Sequence, residues 1–249
     1  AAMALLIASS VGIGIADIAM TTTYDRLASD VVTQLSERRV TDGALWIGIA
    51  GGPGAGKSTL AAAVSKRVNQ ELGPETSVVL PMDGFHYSRA ELRRLDPPDA
   101  SSFLPRRGSP WTFDAEGLCD ALHAAKRTGS ASLPTYSREI SDPLPDGVRL
   151  EASNRCVLVE GNYLLLHDDP RWAPLMSLWD QTWFISCADA AEQRRRLISR
   201  HLETWNDEKT ARWGAGEAGA EARADANDVQ NMLLVAGCAQ YADVVIESI

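Results

Sequence analysis

Apolar and polar positions follow two different rhythms along this chain. Between Tyr24 and Arg39 the apolar residues Leu27, Val31, Val32 and Leu35 recur three and four apart, the stripe of an amphipathic helix. After the polar turn Thr41-Asp42-Gly43, residues 44–50 are apolar throughout apart from glycine, which predicts a strand buried on both faces. That strand runs into a glycine-rich turn and a second helix from about Lys57 to Gln70. Further apolar runs at Ser77 to Pro81, Cys156 to Glu160, Gln181 to Ser186 and Asp243 to Ile246 predict strands, with enough chain between them for crossovers. This alternation predicts an α/β fold in which helices cover both faces of a central parallel sheet. Prolines and glycines crowd Arg93 to Asp114 and Pro134 to Gly147, and both segments read as long structured loops instead of regular elements. Ala188 to Trp205 predicts a helix, and the alanine-, glycine- and acid-rich stretch Ala211 to Ala226 reads as a mobile helical lid or a poorly ordered loop.

The length of 249 residues suits one α/β domain with a lid, and 45% hydrophobic residues are enough for its core. Residues 1–19 are rich in Ala, Ile and Gly but lack a basic leader and contain Asp17. They read as an N-terminal extension or expression remnant, and a membrane span is not expected. Residues 20–249 are then one domain, with its lid at about 188–230. The net charge of −9 argues against nucleic acid as a partner, so any anion site must be local. Four cysteines without CxxC spacing signal neither zinc nor a disulfide framework, which fits a cytoplasmic location.

The sharpest chemical signal is Gly51-Gly52-Pro53-Gly54-Ala55-Gly56-Lys57-Ser58, which satisfies G-x-x-x-x-G-K-S between a strand and a helix. Glycines Gly51, Gly54 and Gly56 let backbone N–H groups turn toward phosphates. Lys57 reaches the β- and γ-oxygens, Ser58 is a Mg²⁺ ligand, and Thr59 completes the first helical turn. ATP and Mg²⁺ are the cofactors this implies. A guanine reader N-K-x-D is missing, since none of the four lysines follows an asparagine. Two classes remain open at this point: a kinase acting on a small acceptor, and an ATP-dependent switch. Pro81-Met82-Asp83-Gly84-Phe85-His86 places a carboxylate at the end of a neighbouring strand, where Asp83 can take a proton from an attacking hydroxyl and Phe85 and His86 can wall the acceptor.

The blocks 81–86, Arg106-Arg107-Gly108-Ser109-Pro110-Trp111-Thr112-Phe113-Asp114 and Val159-Glu160-Gly161-Asn162-Tyr163-Leu164-Leu165 follow the P-loop in order. Together they resemble the uridine kinase, phosphoribulokinase and pantothenate kinase superfamily, over roughly Tyr24 to the C-terminus. The resemblance implies a P-loop NTPase fold, with Asp83 as general base and the block around Arg107 shaping the acceptor pocket. Pro134-Thr135-Tyr136-Ser137-Arg138 looks like the acceptor loop, which makes Tyr136 and Arg138 candidates, although Ser137 stands where the nucleoside kinases carry aspartate. Glu160 is implied near Mg²⁺ or the acceptor. An arginine-bearing lid is implied after Ala188, with Arg196 and Arg200 on one helical face closing over the ATP phosphates. The acceptor class expected is a nucleoside, adenosine among them, through its 5′- or 3′-hydroxyl, with a pantothenate-like or sugar acceptor as the alternative. The chain stops soon after the strand at 243–246, which suggests a fused second domain, and a homo-oligomer is the other partner expected.

Overall fold

A computed structural model describes residues 15–95 and 103–248. Most of the predicted N-terminal extension and part of the first proline-rich segment therefore lie outside the described residues. The elements run α1 (Ile15–Glu37), β1 (Leu45–Ala50), α2 (Lys57–Leu72), β2 (Ser77–Pro81), α3 (Arg89–Leu95), α4 (Ala115–Thr128), β3 (Ala131–Ser137), β4 (Asp142–Leu150), β5 (Cys156–Gly161), β6 (Gln181–Cys187), α5 (Ala190–Glu203), α6 (Asp207–Trp213), α7 (Gly216–Arg223), α8 (Val229–Ala236) and β7 (Val244–Ser248). Five strands form one sheet in the order β2-β5-β1-β6-β7, and every neighbouring pair is parallel.

Successive strand residues point to opposite faces, and the buried residues divide accordingly. Trp46, Ala50, Val157, Val159 and Phe184 face one core, which α4 closes with Leu118, Leu122 and Ala125. Leu45, Ile47, Ile49, Leu158, Trp183 and Ile185 face the other, closed by Leu27, Val31 and Leu35 of α1 and by Leu60, Val64 and Val68 of α2. Two buried faces explain why β1, β5 and β6 read as continuous apolar runs.

The segment from Pro134 to Gly147, expected to be irregular, is instead mostly an antiparallel hairpin of β3 and β4. A two-stranded ribbon has an unpaired edge on each strand, so it accepts prolines that a central strand would exclude. The ladder also breaks its register between Leu133 and Thr135, and the β4 side of the break carries Pro145, Asp146 at φ 53° and Gly147. The alanine- and glycine-rich stretch near 211–226 is helical. Arg194 straps it to α5 through Asp225, at 2.7 and 2.8 Å.

Candidate active site

Strand register decides which side chains meet. Glu160 pairs with Ile49 on one side and Pro81 on the other, so the last turn of β5 lies between the start of the glycine loop and the Asp83 turn. All three reach the C-terminal edge of the sheet, where open α/β sheets bind their ligands. The loop from Gly51 to Gly56 wraps that edge closely. A Cβ on Gly51 would stand 2.3 Å from the Ile185 carbonyl oxygen, and Gly56 takes φ 100°, which a side-chain-bearing residue rarely adopts.

Lys57 opens α2 and is buried. Its Nζ donates to the Gly52 carbonyl at 3.1 Å and to Asn162 Oδ1 at 2.7 Å. Burial pushes the ammonium below its ordinary range, and the carboxylates of Glu160 and Asp83 oppose that shift. Glu160 shows the mirror effect, its carboxyl raised by burial and held down mainly by Lys57. The Ser58 hydroxyl donates to Glu160 Oε1 at 3.1 Å. A hydroxyl beside a carboxylate is a hard-oxygen donor pair that suits Mg²⁺ when phosphate oxygens and water complete its shell. No group of three His, Cys, Asp or Glu side chains fit for a metal occurs among the described residues, so the protein's share of such a shell would be small.

Asp83 lies in a single helical turn, Met82–Phe85, directly after β2. Its carbonyl accepts from the His86 backbone N–H at 3.2 Å and faces His86 Nδ1 at 2.8 Å. Gly84 lets the hairpin sit on this turn, since a Cβ there would meet the Pro134 oxygen at 2.0 Å. The His86 ring lies 3.8 Å from Phe113 and 4.8 Å from Tyr136 between centroids, an aromatic wall beside Asp83. Desolvation lowers the His86 pKa, which keeps the ring neutral at pH 7. Arg107 clamps the hairpin with one guanidinium. Nη2 donates to Tyr87 O and Asp142 Oδ1, both at 2.9 Å, Nη1 donates to Ser141 O, and the group lies 5.5 Å from the Tyr136 ring centroid.

Opposite the P-loop stands the helical lid. Gln193 of α5 donates to the Pro53 carbonyl at 2.8 Å, which fixes the start of the lid to the phosphate loop. Two turns later Arg200 reaches the cleft, only loosely paired with Asp228 at 3.9 Å. His201 Nε2 meets the same carboxylate at 2.7 Å, and both groups are buried. Asp228 ends a wide π turn, Ala224–Asp228, the kind of distortion that often marks functional positions. The enclosed cleft has a volume of about 340 Å³ and is lined by eight Lys or Arg and five Asp or Glu residues. In a chain of net charge −9 the cleft is thus locally basic.

No protein-family profile matches the chain. A protein of Schizosaccharomyces pombe, provisionally named a uridine kinase, is 35% identical over 228 residues, 91% of each chain. The chain belongs to the P-loop kinases of the uridine kinase, phosphoribulokinase and pantothenate kinase family. A crystallised kinase of Silicibacter sp. TM1040, provisionally assigned to a fructose transport system, superimposes with a TM-score of 0.74 at 29% identity, covering 90% of this chain and 98% of that one. YFH7 from Saccharomyces cerevisiae shares the fold, with a TM-score of 0.76 over 90% of this chain and 98% of its own at 18% identity.

In this P-loop kinase Lys57, Ser58, Asp83, His86, Arg107, Tyr136, Arg138, Glu160 and Arg200 all line one cleft. Three expected side chains stand apart from it. Thr59 is exposed on the first turn of α2, Phe85 packs against the core, and Arg196 donates to Glu192 at 3.0 Å on the lid's outer groove. Phe85 nonetheless helps hold the Asp83 turn, because its carbonyl accepts from the Asp114 N–H at 2.8 Å. Sequence reasoning missed Asn162 as the partner of Lys57, the His201–Asp228 pair, and Arg223. A signal for Asn162 existed, two residues beyond Glu160 at the sheet edge. For Arg223 the signal was its nearness in sequence to Asn227-Asp228 after the lid, but its place in the cleft depends on how the lid folds back. No helix among the described residues is long and apolar enough to cross a membrane.

Proposed function

We propose that this kinase transfers the γ-phosphate of ATP to a hydroxyl of a small acceptor, with Asp83 as general base. The observation that carries this reading is the convergence of Lys57, Glu160 and Asp83 at one sheet edge, under Arg200. MgATP, when bound, supplies the transferable phosphoryl group and a metal that neutralises part of its charge. The chain's own residues do the remainder. Asp83 takes the proton as the acceptor oxygen bonds to phosphorus and the bond to the leaving ADP oxygen breaks with its electron pair. Lys57 meets the charge that develops on the phosphate oxygens, and backbone N–H groups of the glycine loop bind them. Arg200 adds a second cation from the lid and helps exclude water. Ser58 and Glu160 would hold Mg²⁺ from the protein side.

The wall formed by His86, Phe113 and Tyr136 offers an aromatic face, and this supports a second reading in which the acceptor is a ring-bearing alcohol such as a nucleoside. We place the protein in the cytoplasm on the strength of its four free cysteines, three of them buried. The test is incubation with γ-labelled ATP and a panel of alcohols, followed by NMR of the phosphorylated product. Label on a C–O–P ester that disappears in Lys57→Ala supports the reading, and label released only as inorganic phosphate rejects it.

A further inference from the structure

The cations of the cleft differ in their surroundings. At the phosphate end, Lys57 has Glu160, Asp83 and Arg200 as its charged neighbours. Arg223, at the C-terminus of α7, lines the same cleft, with Asp228, Arg200 and Arg212 of the lid and Tyr136 of the hairpin around it. Its guanidinium is substantially removed from water, and burial lowers its pKa, yet it makes no hydrogen bond or ion pair among the described residues. Burying an unpaired cation is costly, and a fixed anion from outside the chain would remove that cost.

A second uncommitted cation lines the same cleft. Arg138 lies two residues after Tyr136 on the same hairpin and lines the cleft with it, within electrostatic reach of Glu160. Its guanidinium too makes no hydrogen bond or ion pair among the described residues, although its backbone carbonyl accepts from Ser141 Oγ at 3.4 Å. Three of the nearby acids are engaged elsewhere. Asp142 is held by Arg107 at 2.9 Å, Asp228 by His201 at 2.7 Å, and Glu208 by Arg89. Asp83 is reserved for the acceptor hydroxyl.

We propose that the acceptor is an acidic alcohol, a small metabolite carrying a carboxylate or phosphate besides its hydroxyl, and that Arg223 and Arg138 hold this anion. The inference rests on the phosphoryl-transfer reading above and decides against a neutral nucleoside. The hydroxyl lies at Asp83, the carbon frame runs along His86 and Tyr136, and the anion is clasped between hairpin and lid. Because one arginine comes from each side, the acceptor itself draws the lid closed, which couples phosphate transfer to its presence. Nothing in the transfer step changes: the acceptor oxygen gains the phosphoryl group, ADP departs, and Asp83 receives the proton.

The full chain, its ATP site filled with a non-hydrolysable analogue and Mg²⁺, is titrated calorimetrically with D-glycerate, pantothenate, fructose 6-phosphate, uridine and fructose. Turnover with ATP is measured on the same compounds. A carboxylate or a phosphate compound should be the best ligand and acceptor, and which of the two it is names the anion. Arg223→Gln and Arg138→Gln should each weaken that acceptor by about tenfold to a hundredfold, the worth of a charge-assisted hydrogen bond. Affinity for the analogue should change by less than about twofold, and Arg223→Lys should recover part of the loss, which separates charge from fold. Tightest binding and fastest transfer for uridine or fructose would overturn the inference and leave the kinase reading standing. So would the absence of any anion binding to the analogue-filled enzyme, or loss of analogue affinity in Arg223→Gln. Failure of the kinase reading looks different: ATP hydrolysis that no acceptor accelerates.

Discussion

Replacing Asp83 by asparagine keeps the outline of the side chain and removes its capacity to take a proton. Its carboxylate makes no hydrogen bond among the described residues, and the turn that carries it is held by backbone contacts, notably from His86 N–H to the Asp83 carbonyl at 3.2 Å. The exchange therefore leaves the local fold intact. Electrostatic support for Lys57 comes first from Glu160 and only then from Asp83, so phosphate binding should barely respond. The loss should fall on the chemical step, by about 10²- to 10⁴-fold, the usual reach of a general base, or about 2.7 to 5.4 kcal/mol in the barrier. The assay is ADP release with the best acceptor of the panel, beside calorimetry with a non-hydrolysable ATP analogue. Turnover above about a tenth of the parent value would refute the base assignment. Analogue affinity lost by more than about tenfold would instead make Asp83 a phosphate- or metal-site residue.

Three further outcomes follow from the same geometry. Arg200→Ala should lower transfer by about 10² or more while raising the Kd for ATP by less than about fivefold, because the lid contact is made mainly in the closed state; equal effects on both would place Arg200 in ground-state binding. Gly84→Ala drives a methyl into the Pro134 carbonyl at 2.0 Å, so it should cost about 1 to 3 kcal/mol of stability and slow turnover as Tyr136 shifts; an unchanged Tm would contradict the close seating of the hairpin. His86 is kept neutral by burial, with its pKa below 6.5. The unfolded chain then binds more protons between that folded value and 6.5, and stability should fall as pH drops through 6.5. His86→Phe should flatten this slope in thermal melts from pH 7 to 5, and an unchanged slope would show that other groups carry it.

Much of this architecture is legible in the sequence, for a physical reason. A strand buried on both faces has no polar positions to interrupt it, so β1, β5 and β6 appear as unbroken apolar runs, and the ends observed differ from those expected by at most one residue. The G-x-x-x-x-G-K-S run is equally legible, because strand, tight turn and helix start are all local. The hairpin was not. Pro134, Pro143, Pro145 and Gly147 carry loop signals, and only pairing between two exposed strands makes them a ribbon. The acceptor side of the cleft was half legible. Asp83 follows directly from its place at a strand end, whereas Arg223 and His201 join the site through the fold-back of the lid, which no local pattern encodes. Arg196 is the opposite case. Helical spacing puts it four residues from Arg200 on one face, but Arg196 pairs with Glu192 one turn before it and stays outside the cleft.

The claim at the centre of this account is that the cleft delivers phosphate to an alcohol and withholds it from water. The most direct measurement is ADP release by the parent protein with MgATP alone and then with each compound of the acceptor panel. The account predicts slow release without acceptor and an increase of about tenfold or more with an acidic alcohol, as lid closure completes the site. Release with ATP alone that equals the best acceptor-stimulated rate would contradict it and mark the protein as a nucleotide-driven switch.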